Sequence, residues 1–267
     1  MLTFMRPFKI AHISDLHINI CNPELFSYPE DKDISCNSIK SIERRLKEFI
    51  DKIKDRNVDF IAVTGDLVDA VADSQDFADV TRDYIMKKRS WYKRIKEYYL
   101  RVKNILKDSG IPYVALPGNH DFAPVLLETF TMDYLNIDGI YIKRFLDYEN
   151  AVHVPVRSDR FLWEALLSDS SRPVQVHLQH FLIYPDINEE YPYTYINGNM
   201  MKELMAEKIN NNRLLLSLSG HYHPGTEFYQ FNNCYFSTAS AFYKPLSSFR
   251  IYSIFNKHIE TEEITSG

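Results

Sequence analysis

The chain of 267 residues is poor in glycine and cysteine, lacks a strong charge excess and holds no long apolar run. Its three cysteines, Cys21, Cys36 and Cys234, are too few for a disulfide framework and have no zinc-site spacing. No stretch approaches the ~20 apolar residues that a membrane-spanning helix needs. Residues Met1 to Ile10 place Arg6, Pro7 and Lys9 ahead of any apolar stretch, which is unlike a signal peptide. Together these features predict a reducing, cytoplasmic location. Lys and Arg number 31 against 36 Asp and Glu, a formal charge of −5 that argues against a nucleic-acid coat protein but allows a local basic patch. The 45% hydrophobic and 25% charged fractions exclude disordered, collagen-like and coiled-coil chains. A chain of this length can bury about three quarters of its unfolded surface, and with no internal repeat or linker we expect one domain over residues 1–267.

Glycine numbers only eight, near 3% against a usual ~7%. Three of the eight, Gly65, Gly118 and Gly220, directly precede Asp66, Asn119 and His221 at the ends of apolar runs. Such placement of a scarce residue beside polar ones suggests a site.

The apolar runs predict the frame. Phe8 to Ser14 reads as a strand ending on Asp15-Leu16-His17. Ile39, Ile42, Leu46, Phe49, Ile50 and Ile53 recur at helical steps, with Asn37 or Ser38 as N-cap. Phe60 to Thr64 is β-branched and stops at Gly65-Asp66, so strand–helix–strand predicts a right-handed crossover and a largely parallel pair. A long helical pattern from about Phe77 to Lys107 has a stripe of Trp91, Ile95, Tyr98, Val102 and Ile105, closed by Gly110 and Pro112. Tyr113 to Leu116 is a further strand. A short helix is expected near Val125 to Tyr134 and another over Ser158 to Leu167. Val174 to Leu178 and Leu214 to Leu218 read as strands, and the segments between Glu227 and Glu263 as a β meander.

Five strands therefore end in clusters of Asp, Asn or His. In open α/β sheets, ligands bind outside the carboxyl ends of the strands, so these clusters should converge. Carboxylate, carboxamide and imidazole donors with almost no thiolate suit Mn, Fe or Zn. Seven candidate ligands exceed what one ion takes, and a pair sharing a carboxylate uses them all. Within the fourth cluster, His180 is favoured over His177. The latter lies three residues back inside its strand, ~10 Å below the carboxyl end at ~3.3 Å per residue. His12, His153 and His258 sit in strand-like contexts and are read as structural.

Asp15-x-His17, Gly65-Asp66, Gly118-Asn119-His120-Asp121, His180 and Gly220-His221-x-His223 occur in this order over roughly residues 8 to 240. Together they resemble the calcineurin-like metallophosphoesterases. The resemblance implies an α/β fold: a four-layer α/β/β/α sandwich of two mixed β-sheets, with the metal site at the carboxyl ends of the strands. It implies that Asp15, His17, Asp66 and His223 hold one ion, and that Asp66, Asn119, His180 and His221 hold a second, with Asp66 bridging. His120 would serve the leaving oxygen as an acid, and Asp121 would orient its imidazole. The expected reaction is hydrolysis of a phosphodiester or phosphomonoester, by attack of a metal-bridging hydroxide in line with the leaving oxygen. Protein Ser/Thr phosphatases of this superfamily carry Arg-Gly and Glu where this chain has Ala70 and Asp121 within the second and third blocks. A phosphodiesterase or lipid-headgroup esterase therefore fits better than a protein phosphatase.

Other classes on the same fold are a non-catalytic metal-binding scaffold and a nuclease. The scaffold is disfavoured because all seven ligands and His120 are present. The nuclease would use the basic run Lys87, Lys88, Arg89, Lys93, Arg94, Lys96, Arg101 and Lys103, in what looks like a helical insertion at about 77–109. That run reads more simply as a solvated helix face. Tyr184, Tyr191, Tyr193 and Tyr195 follow His180 and are either loop packing or a stacking rim for the substrate. A small molecule, nucleotide or lipid head group is the expected partner, with nucleic acid disfavoured.

Overall fold

The computed structural model describes residues 6–19, 38–70, 89–146, 173–187, 193–195, 198–209, 213–244, 248–256 and 258–265. The helix expected over Ser158 to Leu167, the first part of the 77–109 insertion, His153, Tyr191, Cys21 and Cys36 lie outside them.

The short apolar runs form strands where the sequence places them: β1 (Phe8–Ile13), β3 (Phe60–Thr64), β5 (Tyr113–Leu116), β8 (Val174–Leu178) and β9 (Leu214–Ser219). Short strands β2 (Ile18–Asn19) and β4 (Val68–Asp69) pair with each other directly beyond β1 and β3. The remaining strands are β6 (Tyr134–Ile137), β7 (Ile140–Arg144), β10 (Tyr229–Phe231), β11 (Cys234–Thr238), β12 (Ser248–Ile254) and β13 (Ile259–Thr265). One sheet runs β13-β12-β1-β3-β5, and the other β10-β11-β9-β8-β7-β6. In the first, β1, β3 and β5 are parallel. In the second, β7, β8, β9 and β11 are parallel, with antiparallel β6 and β10 at the edges. Both sheets are therefore mixed.

Strand alternation assigns the two faces of the first sheet to different cores. Ile10, Phe60, Ala62, Val114 and Leu116 face the second sheet and pack on Val174, Val176, Leu178, Leu214, Leu216 and Leu218. Ala11, Ile13, Ile61, Val63 and Ala115 face outward. They pack against α1 (Ile39–Lys54), α2 (Arg89–Asp108) and α3 (Ala123–Thr129). On the far side of the second sheet, α4 (Gly198–Lys208) lays Met201 and Met205 on Leu215 and Phe236. Among the described residues the order is thus helices, sheet, sheet, helix.

Helix α1 follows its expected stripe, with all six apolar positions buried and the Ser38 side chain accepting from Ser41 N. Three expectations are corrected. In α2 the buried row is Ile95, Tyr99, Val102 and Leu106, while Tyr98 and Ile105 flank it half-buried. Helix α3 ends at Thr129, and Tyr134 opens a hairpin whose turn takes Asp138 and Gly139 to φ 50° and 82°. The C-terminal segments are two hairpins in different sheets, β10–β11 and β12–β13, rather than one meander.

Part of the basic run is occupied within the chain. Arg101 makes a bidentate pair with Glu43 at 2.7 Å, Lys96 meets Glu128 at 3.2 Å, and Lys103 donates to Thr129 O at 2.7 Å.

Candidate metal centre

Five chain segments leave the carboxyl ends of β1, β3, β5, β8 and β9 and meet there. Backbone bonds lace them together. Asp15 N donates to Gly65 O at 3.0 Å and His17 N to Asp66 O at 2.8 Å. Gly220 N donates to His180 O at 3.0 Å and Ala241 N to His223 O at 2.9 Å. The turns are tight enough to force Asp15, His17, Asp66 and His221 into the left-handed region, with φ of 54°, 44°, 52° and 69°. That conformation costs a side-chain-bearing residue ~1–2 kcal/mol, and such strain concentrates at functional sites.

Two groups of candidate ligands result, and Asp66 belongs to both. Asp15, His17, Asp66 and His223 present atoms that all lie within 4.8 Å of one another, and Asp66, His180 and His221 do the same. His17 Nε2 and His223 Nε2 face each other at 3.0 Å, and His223 Nε2 lies 3.5 Å from Asp15 Oδ1. His180 Nε2 is 3.2 Å from Asp66 Oδ2 and 2.9 Å from Asn119 Oδ1. Its Nδ1 bonds to Thr64 O at 2.7 Å, which fixes Nε2 as the nitrogen that faces the site. Every sequence-derived ligand, Asp15, His17, Asp66, Asn119, His180, His221 and His223, is therefore at this locus. His177 is not: it is buried on the outer face of the second sheet, with Nε2 on Gln175 Oε1 at 3.2 Å and its ring against Phe145.

The donor set fits metal ions. Asp66 Oδ2 and Asn119 Nδ2 are buried without a hydrogen-bond partner, and Asp15 and Asp66 are fully buried carboxyls. Leaving buried polar atoms unmatched is costly unless something binds them. Burial alone would raise both carboxyls, but facing histidines outweigh it and hold them well below the usual range. These are His17 and His223 for Asp15, and His180 and His120 for Asp66. Burial likewise opposes charge on His17, yet Asp69, Asp15 and Asp66 push its pKa up to about 10. His180, opposed by burial but facing Asp66 and Asp15, rises to about 9. Burial, helped by His180, lowers His221 to about 3. The clustered carboxylates thus favour positive charge at this locus, which bound cations would supply.

His120 and Asp121 are placed differently from each other. The half-buried His120 ring stands edge-on to His17, 4.7 Å between centroids, and its backbone N donates to Asp66 Oδ1 at 2.9 Å. The carboxylate facing His120 is Asp69, whose Oδ1 lies 3.3 Å from His120 Nδ1 and 2.5 Å from His17 Nδ1. Asp121 instead accepts from Leu67 N, Val68 N and Gly118 N at 3.0–3.1 Å and from the Tyr99 hydroxyl at 2.9 Å. It ties the second block to the third rather than orienting the imidazole. Asp69 was legible only as the last acid of Gly65-Asp66-Leu67-Val68-Asp69; its three-residue offset from Asp66 was the available signal. Tyr243 was also missed. It packs edge-on to His17 and His223, with its hydroxyl 3.5 Å from His223 Nδ1. Arg45 holds its turn, donating to Tyr243 O at 2.6 Å and Lys244 O at 2.5 Å.

Among the described residues no helix is long and apolar enough to cross a membrane. No curated protein matches the chain. Solved structures share the fold at low identity. A dimetal phosphatase from Danio rerio superposes with a TM-score of 0.65 at 12% identity, covering 97% of this chain and 98% of that one. A protein from Thermus thermophilus gives 0.54 at 14% identity, covering 96% and 98%. Purple acid phosphatase PPD1 from yellow lupin gives 0.59 at 11% identity, covering 97% of this chain and 51% of its own. The family model for calcineurin-like phosphoesterases matches residues 8–225, from β1 through the last candidate ligand, His223, and the chain belongs to that family.

Proposed function

We propose that the protein hydrolyses a phosphoester, diester or monoester, at a two-ion centre. Asp15, His17, Asp66 and His223 hold one ion, and Asp66, Asn119, His180 and His221 the other; the donors suit Mn, Fe or Zn. The carrying observation is the Asp66 carboxylate, shared by both ligand groups, with a buried Oδ2 that no hydrogen bond satisfies. When bound, two such ions neutralise phosphoryl oxygens and lower the pKa of a water near neutral pH.

The chain's own residues supply the rest. His120 is the acid for the departing oxygen: Asp69 engages its Nδ1 side, leaving Nε2 to deliver the proton. Asp69 also engages Nδ1 of His17, so one carboxylate orients both a ligand and the acid. Asp121 and Tyr99 keep the turn that carries Asn119 and His120 in place. The substrate is a small molecule, nucleotide or lipid head group.

Metal-stripped protein should gain activity on bis-p-nitrophenyl phosphate or p-nitrophenyl phosphate when Mn is added, and the preferred ester separates diesterase from monoesterase. His120→Ala should lower turnover by about 10²–10⁴-fold with metal content kept near wild type. Metal loss in that variant, with activity restored by excess metal, would contradict the acid role. Full metal occupancy with no turnover on either ester would leave a binding scaffold.

A further inference from the structure

Half-buried aromatic rings line one side of the second ligand group. Phe181 follows His180 directly, and Tyr222 stands between His221 and His223. The Phe181 ring lies 4.3 Å from that of His221, centroid to centroid, and Tyr193 lies 5.5 Å from it. Tyr193 meets Tyr222 edge-on at 5.1 Å, and Phe181 meets Tyr195 at 5.8 Å. These four rings form one wall that begins at a ligand side chain. Tyr195 also packs against the core under α4, whereas Phe181, Tyr193 and Tyr222 belong to none of the described apolar cores.

The wall is held by backbone bonds. Leu182 N donates to Tyr193 O at 3.1 Å and Tyr195 N to Leu182 O at 2.9 Å, a short bridge between the post-His180 turn and the tyrosine segment. Buried Thr194 accepts from Ile187 N at 2.9 Å and donates to Pro185 O at 3.0 Å, pinning the same segment from its other side. The Tyr195 hydroxyl, at the back of the wall, is buried without a hydrogen-bond partner. Phe181 and Tyr193 are thereby held against His221, one of the residues proposed to hold an ion.

We infer that this wall stacks against a planar ring of the substrate, so the phosphoester is one that carries a heteroaromatic group, as a nucleotide does. The inference rests on the phosphoesterase reading and adds the substrate class. Ring-on-ring stacking tolerates any base because every base has a π face, and each contact changes affinity by about tenfold.

The test is calorimetry on Mn-loaded protein carrying His120→Ala to suppress turnover. Adenosine 5′-monophosphate is compared with ribose 5-phosphate, which keeps the phosphate and sugar but lacks the base. The expected result is about tenfold tighter binding of the nucleotide. Adding Tyr193→Leu or Phe181→Leu should bring the affinity ratio toward one, while Tyr193→Phe should keep it; circular dichroism checks that each variant is folded. Equal affinities in the parent need no further variant and would overturn the inference while leaving the phosphoesterase reading intact. So would a ratio preserved in both leucine variants. If the parent binds neither phosphate, and wild-type protein loaded with Mn hydrolyses neither p-nitrophenyl ester, the phosphoesterase reading falls and takes this inference with it.

Discussion

Tyr99→Phe isolates one hydroxyl on which the third block depends. The ring is fully buried in the helix-side core, so the substitution keeps its packing and removes only the oxygen. That oxygen donates to Asp121 Oδ1 at 2.9 Å and accepts from Phe122 N at 3.0 Å. Without it, the buried Phe122 N–H loses its partner, a penalty of about 1–3 kcal/mol. Asp121 loses one donor, and a hydrogen bond to a charged group contributes about 1.5–3 kcal/mol. Three backbone amides still serve Asp121, which places the total loss at about 3 kcal/mol rather than at the sum of the maxima. With an m-value near ~3 kcal/mol per molar urea, the unfolding midpoint should fall by about 1 M. Tyr98→Phe, one residue earlier and half-buried, should stay within about 0.5 kcal/mol as a surface-type substitution. Burial and Asp66 already raise the Asp121 carboxyl to about 6, and loss of the Tyr99 donor should raise it further. Catalytic decline on the acid side should therefore begin at a higher pH in the variant. A stability loss below about 1 kcal/mol would refute the reasoning, because it would mean that water replaces the hydroxyl and the turn is not dry.

Asp69→Asn should cut turnover or metal affinity by about 10–100-fold, since it weakens the support of both His17 and His120; titrating Mn against activity separates the two effects. Gly220→Ala should lower metal affinity, because a Cβ there collides with Ser14 Oγ and comes within 2.8 Å of Asp15 Oδ2; metal content after dialysis is the readout. Burial, aided by Lys143, lowers His177 from 6.5 to about 3, so between those pH values the unfolded chain binds a proton that the folded chain refuses. Stability from this group is complete above 6.5 and falls with pH below it, by at most ~1.4 kcal/mol per pH unit. Urea unfolding between pH 7 and 4 should thus show a shallower decline in His177→Gln, and parallel curves would contradict the neutral, buried assignment.

The strands that carry the site were legible because each is a short, β-branched or aliphatic run buried on both faces and cut off by a glycine or by a polar cluster. The α2 stripe was misread by one residue because two adjacent rows satisfy helical spacing. Ile95, Tyr98, Val102 and Ile105 share Ile95 and Val102 with the row that uses Tyr99 and Leu106. What chooses between them is the Tyr99 hydroxyl reaching Asp121, a contact between residues 22 apart that no periodicity encodes. The β6–β7 hairpin had a usable signal in Ile137-Asp138-Gly139-Ile140, whose central pair suits a turn with positive φ at both positions. Helix α4 had a weaker one: Met201, Leu204 and Met205 recur at helical steps, but the neighbouring exposed Met200 and the short length blur that face.

The convergence of the candidate ligands was readable for a different reason than the fold. Asp15, His17, Asp66 and His221 occupy backbone conformations that would favour glycine on steric grounds. In a chain with eight glycines, four such positions filled by Asp and His imply that the side chain outweighs the backbone cost there. Neighbouring Gly65 and Gly118 are then needed for room. A Cβ on Gly65 would clash with the His180 ring, and one on Gly118 with the Asp66 carboxylate. Glycine next to the ligand and strain at the ligand are thus two consequences of one requirement: five strand ends must crowd their donors around Asp66. Sequence patterns record the glycines and the donors directly. They do not record which second carboxylate faces which imidazole, and so Asp69 and Asp121 could be distinguished only once β4 had been placed against the His120 turn, where Ala70 N reaches His120 O at 2.9 Å.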